Sequence, residues 1–346
     1  MSRAVSHPSS SNEHRMHLLH GLDGLLNAPK NSVMSIGNFD GVHLGHRRIF
    51  QTAREIAAPK KSPLVFVTFE PHPMTVLNPA AAPPRLTPPD VKQSLLEAEG
   101  ADYLVVLPPE KRVLSLTAED FWTILKDQVA VSDLVEGASF RFGRGARGSV
   151  PLLKQWSANS AVTLHVAESV QLPLLDLQIT PVSSSVIRFL LAYGRAREAC
   201  ICLGRPYRLA GPIQKGHARG KSLGFPTANL QCEDQFIPAD GVYAARSSLG
   251  GKNYPVALSI GTMPTFGENA RQIEAHIIGF DGDLYGQNLA VDLLDWIREQ
   301  RKYDNPEPLK IQIEKDIAQS VNSLNRDFSR PIALSNSTAS NPGSIA

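Results

Sequence analysis

The sequence predicts an α/β chain in two parts, a doubly wound parallel sheet followed by an antiparallel barrel or sandwich. Three observations carry that expectation. At 346 residues the chain is long for one hydrophobic core, and length alone points to roughly two domains. Up to about residue 190, short apolar runs alternate with stretches of helical spacing, the order of a parallel sheet buried on both faces. After about residue 205 the strand-like runs follow one another closely, separated by Gly, Pro, Asp and Asn, as they do in antiparallel folds.

Each element has its own signal. SVMSIG (32–37) is short and apolar, and HRRIFQTAREIAA (46–58) has helical spacing. LVFVTF (64–69) has the β-branched and aromatic composition of a buried strand. PPDVKQSLLEAEG (88–100) sets Val91, Leu95 and Leu96 on one helical face and ends at Gly100. YLVVLP (103–108) is the next strand, followed by a helix that Thr117 caps, with Glu119 and Phe121 inside it. VSDLVEGA (131–138) and TLHVAE (163–168) add two strands, and SSVIRFLLAYGRAREACICLG (184–204) reads as one or two linking helices. In the second part, YRLAGPI, VYAARSSL, YPVALSIG, IEAHIIGF and LAVDLLDW are strand-like, and Gly250-Gly251 marks a tight hairpin. A last amphipathic helix runs from about Pro306 to Leu324, with Leu309, Ile313 and Ile317 spaced by four. The expected modules are therefore 15–188 and 205–327, joined by a helical linker at 189–204 and flanked by solvated tails at 1–14 and 328–346.

Composition excludes several classes. Apolar residues make up 42% of the chain and the net charge is +2, so the field is too weak for wholesale nucleic-acid binding. Cys200, Cys202 and Cys232 are an odd number without zinc-type spacing, which argues for buried thiols in a reducing cytoplasm rather than a disulfide scaffold. The N-terminus lacks the apolar core of a secretory signal. No run approaches the ~18 apolar residues of a membrane span.

The densest motif is SIGNFDGVHLGH (35–46), where three glycines, two histidines and an aspartate follow an apolar strand. In a doubly wound sheet ligands sit at such strand ends, beside helix N-termini. Glycines at 37, 41 and 45 let the backbone approach a ligand, and His43 and His46 lie three apart on the first helical turn. With the amides and dipole of the helix start, this suits a polyphosphate. A His-x-x-His zinc site and a capped helix with two ordinary histidines remain alternatives, while neither the dinucleotide nor the Walker spacing is present. His72, in EPHP, sits at the next strand end, where it is either a site residue or a turn histidine. Ser184 and Ser185 open a helix and Arg188 follows, a second set of phosphate-binding groups. Arg141, Arg144 and Arg147 among glycines and aromatics would also suit an RNA-contacting loop. In GHARGKSLGFPTANL (216–230), Gly216, Gly220 and Gly224 permit a mobile loop that Lys215, His217, Arg219 and Lys221 make basic. Thr227 and Asn229 alternate on an extended segment, so both project the same way and offer oxygens to Mg²⁺. The blander reading is a basic surface loop before a strand.

GNFDGVHLGH (37–46) resembles the signature of the nucleotidylyltransferases, and in this longer form that of the bacterial bifunctional riboflavin kinase/FAD synthetases. The same order of motifs follows: TFEPHP (68–73), SFRFGRGARG (139–148), VSSSVIR (182–188), LGRPYRLAG (203–211), GKSLGFPTANL (220–230), GVYAA (241–245), GTMPTFGE (261–268) and IEAHIIGFDGDLYG (273–286). The resemblance covers about residues 17 to 325 and implies a Rossmann-like nucleotidylyltransferase sheet plus a riboflavin kinase-like barrel with a C-terminal helix. It implies two reactions, phosphorylation of riboflavin to FMN and adenylylation of FMN to FAD. By the resemblance, His43 and His46 contact the ATP phosphates, and Gly37, Asn38, Phe39 and Asp40 shape the loop around them. His72, Ser184, Ser185 and Arg188 complete the phosphate site, and Arg141 and Phe142 face the flavin. In the second module Gly216, Gly220 and Lys221 hold phosphate, Thr227 and Asn229 hold Mg²⁺, and Glu274 is the general base. Ser139, Val186 and Gly279 depart from the family's usual residues. The implied partners are riboflavin, FMN and ATP, with neither nucleic acid nor membrane, and the oligomeric state is left open. A flavin-binding regulator, or an enzyme with one competent module, are the competing readings.

Overall fold

The computed structural model describes residues 15–214, 220, 224–263 and 268–324. Both expected tails lie outside that set. The chain divides into two compact units. One takes the described residues up to Val170 with Val182–Ser185 and Glu233–Phe236, and the other takes Gln171–Pro181, Val186–Cys232 and the described residues from Ile237 onward.

The first unit is built on strands β1 (His17–His20), β2 (Val33–Gly37), β3 (Leu64–Phe69), β4 (Tyr103–Leu107) and β5 (Asp133–Gly137). A short hairpin of β6 (Arg141–Phe142) and β7 (Gly148–Ser149) precedes β8 (Thr163–Ala167). The six long-sheet strands run parallel in the order β1-β4-β3-β2-β5-β8. Alternation along each strand builds two cores. Met34, Ile36, Val65 and Val67 pack on one face, and Val33, Phe50, Leu64 and Phe66 on the other. The helix Leu44–Lys60 lies on the second face through Phe50, Ala53 and Ala57. Strand order reverses between β2 and β5, the point where doubly wound sheets open a crevice.

Edge strand β1 carries little sequence signal. HLLH is four residues long and mostly exposed, and it is a strand because it pairs with β4 from His17↔Tyr103 to His20↔Val106. The helix after Thr117 is short, Ala118–Thr123, and begins with a capping box between Thr117 and Asp120.

The second unit opens with a hairpin of β9 (Gln171–Pro173) and β10 (Ile179–Pro181), then the helices Ser184–Ala192 and Ala196–Leu203, the first of which starts in the first unit. Strands β11 (Tyr207–Gln214), β12 (Ala228–Leu230), β13 (Gly241–Leu249), β14 (Lys252–Met263), β15 (Glu268–Ile277) and β16 (Asn288–Arg298) follow. They close as an antiparallel barrel in the order β11-β12-β15-β14-β13-β16, which decides between barrel and sandwich. Leu209, Tyr243, Leu258, Ile260, Val291 and Leu293 fill it. Gly250 and Gly251 make the two-residue loop between Leu249 and Lys252 at φ +56° and +77°, as a tight hairpin with both central residues left-handed requires. The helix Pro306–Ser323 packs on the barrel and is tied by Asp316, 3% exposed, to Arg298 at 2.7 Å. Burial pushes the thiols of Cys200 and Cys202 up to about 12 and 11, so they are inert core residues.

Candidate active sites

In the first unit the chain leaves β2 at Gly37 and enters the helix Leu44–Lys60 at His43. Between them Phe39, Gly41 and Val42 take φ of +46°, +86° and +38°. Two of these are non-glycine residues in a region side chains disfavour, so the loop is held by its packing. Phe39 provides that packing. Its ring is 2% exposed and meets Phe50 at 4.9 Å, His46 at 5.4 Å and Phe66 at 6.1 Å. It shapes the loop from within and offers no face to a ligand. Gly37 is fixed by the same ring, since a Cβ there would stand 2.7 Å from Phe39 Cε1.

His43 caps the helix, its Nδ1 accepting the His46 amide at 3.3 Å. An acceptor nitrogen carries no proton, so the ring's N–H is on Nε2. The His46 ring stacks on it at 3.6 Å. His72 follows the same logic, because its Nδ1 accepts the Met74 amide at 3.1 Å and Nε2 is left as the donor. Its partner 3.0 Å away is the Asn38 side-chain amide, which must therefore present its oxygen and turn its NH₂ the other way. Asp40 is spent on structure, its carboxylate accepting the Leu86 amide at 2.9 Å and the Thr87 amide at 3.2 Å. The Ser184 hydroxyl donates to the Asp40 carbonyl at 2.8 Å and anchors the start of its helix to the loop. Ser185 is exposed beside it, and Arg188 lies one turn further along that helix.

Asn38, Asp40 and His72 line one cavity of about 670 Å³ together with Glu70, Arg85 and Lys92. Glu70 bridges Lys92 at 2.6 Å and Arg85 at 3.2 Å. Sequence reasoning missed this trio. Lys92 is 6% exposed, and the helical face it shares with Leu96 is the inward one, whereas Val91 and Leu95 are only half-buried. Arg141 is exposed, but the Phe142 ring packs into the core against Phe121, Phe140 and Trp156 rather than toward a ligand.

In the second unit the register sets Asn229 opposite Glu274 and Glu274 opposite Ser259, one row across β12, β15 and β14. Ile273 and Ala275 point into the barrel, so this row lies on its outer face. Thr227 precedes Asn229 by two and shares that face. Gly220 closes against it, its carbonyl accepting the Phe225 amide at 2.8 Å, with room for no Cβ 2.3 Å from the Phe225 oxygen. His276 donates from Nδ1 to the Pro226 carbonyl at 2.8 Å and so holds this segment rather than reacting. Gln300, which had no sequence signal, donates to Ser259 Oγ at 2.9 Å. Gly216 and Lys221 lie outside the described residues.

No group of three or more His, Cys, Asp or Glu side chains is placed to hold a metal among the described residues. The Thr-x-Asn pair is a different donor set. Asn229 Oδ1 is buried with no hydrogen-bond partner, a costly state that an oxygen-seeking cation would relieve. Mg²⁺ therefore fits the residues present.

A family model described as FAD synthetase matches residues 26–185, and one described as riboflavin kinase matches residues 203–324. A bifunctional riboflavin kinase/FMN adenylyltransferase of Pseudomonas fluorescens is 35% identical over 306 residues, covering 88% of this chain and 96% of that protein. One of Bacillus subtilis (strain 168) is 32% identical over 311 residues, with 88% and 96% covered. A crystal structure from Streptococcus pneumoniae, named a macrolide-efflux protein, superposes with a TM-score of 0.76 at 29% identity, covering 86% of this chain and 95% of that one.

Proposed function

Because the chain belongs to the family of bacterial bifunctional riboflavin kinase/FMN adenylyltransferases, we propose that it makes both flavin cofactors in succession. The barrel unit transfers the γ-phosphoryl of ATP to the terminal ribityl hydroxyl of riboflavin, giving FMN and ADP. The sheet unit joins FMN to the α-phosphorus of a second ATP, giving FAD and pyrophosphate. The observation that carries this reading is one chain in which the two family matches fall on two differently built sites.

The difference between the sites follows from the nucleophiles. Riboflavin attacks through a hydroxyl, which must lose a proton as its oxygen bonds to phosphorus. Glu274 is the group to accept that proton, a carboxylate on a rigid strand beside Asn229 and Ser259. FMN attacks through a phosphate oxygen that is already anionic, so no base is needed and the demand is for donors to oxygens that gain charge. His43 Nε2–H, the neighbouring His46 and the freed Asn38 NH₂ supply them at the start of the helix. We assign Ser184, Ser185 and Arg188 to the same phosphates on their place in the motif, and Arg141 to the flavin side, while Phe39 and Phe142 act through packing. Thr227 and Asn229 would hold Mg²⁺, which when bound neutralises and orients the ATP phosphates. Gly216, Gly220 and Lys221 belong to the loop over that site. The cytoplasm is where this chemistry belongs, with small molecules as partners. Among the described residues no helix is long and apolar enough to cross a membrane.

The division of labour is tested by two variants. Glu274→Gln is expected to stop riboflavin phosphorylation and to spare FAD formation from supplied FMN. His46→Ala is expected to do the reverse. Equal loss of both steps in either variant would refute the assignment of one reaction to each unit.

A further inference from the structure

The β2–β5 ladder ends early. Its partners are Val33↔Asp133 and Met34↔Leu134, yet β2 stays with β3 as far as Gly37↔Thr68 and β5 stays with β8 as far as Gly137↔Ala167. The sheet thus splits at the point of order reversal, and the Ile36 amide, which the ladder would have paired, faces the gap. Glu136 fills it, 2% exposed, with Oε1 accepting the Ile36 N–H at 2.8 Å. Ile36 immediately precedes the Gly37–His46 loop, and Glu136 immediately precedes the segment that carries Arg141.

We propose that Glu136 is a positioning residue for adenylyl transfer, a side-chain tie that sets the spacing between the two loops leaving β2 and β5. The proposal rests on the adenylyltransferase reading above. Burial raises the Glu136 carboxyl well above its ordinary range, outweighing the amide bond, and in either protonation state its Oε1 accepts the Ile36 N–H. A leucine would fill the same space but leave the Ile36 N–H unsatisfied in the crevice. Glutamine would keep the acceptor, and aspartate would fall one methylene short.

The test uses the full chain with both reactions read separately. Glu136→Leu and Glu136→Asp are expected to lower kcat for FAD formation from supplied FMN at least tenfold, with KM for ATP moved less than twofold. Glu136→Gln is expected to keep kcat within twofold of wild type. Riboflavin phosphorylation should be unchanged in all three, which reports that the barrel unit is intact, and a melting transition of the sheet unit like that of wild type reports that this unit is folded; if the leucine variant does not fold, the aspartate variant carries the comparison. Wild-type FAD formation in Glu136→Leu, or equal loss in Glu136→Gln and Glu136→Leu, or parallel loss of phosphorylation in the aspartate variant, would overturn the proposal. A wild-type chain that makes no FAD would overturn the adenylyltransferase reading itself, and this inference with it.

Discussion

His43 does two things with one ring, and the two can be separated. Its Nδ1 caps the helix Leu44–Lys60 and its Nε2–H is the group we assign to phosphate. Asparagine is a good N-cap, so His43→Asn should melt within about 2 °C of wild type, a shift of about 1 kcal/mol or less for a domain of this size. FAD formation should nevertheless fall by about 10²-fold or more, the usual effect of removing one donor to a charged transition state. Melting curves and initial rates on one preparation check both halves, and a large loss of stability with activity retained would reverse the assignment. Asn229 poses the complementary case. Its Oδ1 is buried without a partner, so Asn229→Ala gives up no hydrogen bond at that oxygen. It should raise the Mg²⁺ concentration for half-maximal riboflavin phosphorylation several-fold, read by titration, and leave the Mg²⁺ dependence of FAD formation unchanged. These residues were legible because loop glycines, paired histidines and a Thr-x-Asn alternation are chemical signals in themselves. Lys92 and Gln300 were not legible, because nothing local distinguishes a lysine or glutamine that turns inward from one that stays in solvent.

Strand β5 carries two buried carboxyls with opposite behaviour. Burial works against the charge on Asp133, but hydrogen bonds from Lys60 at 2.6 Å, His165 at 2.8 Å and Ser132 at 2.8 Å outweigh it and hold the carboxyl below its ordinary 3.8. Its folded-state pKa is depressed, so its stabilisation is present above that ordinary value and is lost as pH falls through the lower folded one. Glu136, three residues on, is raised well above 4.5 by burial. Keeping its proton therefore costs the folded state progressively as pH rises from 4.5 toward the higher folded value. Asp133→Asn should accordingly be less stable than wild type at neutral pH, with the gap closing in acid. Glu136→Gln should gain on wild type as pH rises from about 4.5. Parallel pH–stability curves for the two variants, from denaturant titration, would contradict this. Elements were legible in proportion to what they bury. β3 was read at its observed bounds, Leu64–Phe69, because the run is dominated by β-branched and aromatic residues that are buried. Edge strand β1 and the β9–β10 hairpin exist through pairing with distant or polar partners, which local pattern does not record. The Thr117–Asp120 capping box sets one helix start by itself, and Thr117→Ala should cost about 1 kcal/mol.

At the scale of the molecule, each unit brings its own core and its own site, and each reaction is assigned to one of them. The break in texture near residue 205 was visible because closely spaced strands with glycine and proline turns cannot be read as a parallel sheet. Barrel closure was not visible in the local pattern and was expected only from the family resemblance, since it depends on β11 pairing with both β12 and β16, strands far apart in sequence. The two-site account makes a stoichiometric demand. Phosphorylation releases one ADP and adenylylation one pyrophosphate, so a single incubation of the chain with riboflavin, ATP and Mg²⁺ should show FMN rising first and FAD after it. At completion each FAD should be matched by one ADP and one pyrophosphate. FAD absent after FMN has accumulated, or FAD appearing with two pyrophosphates and no ADP, would contradict it.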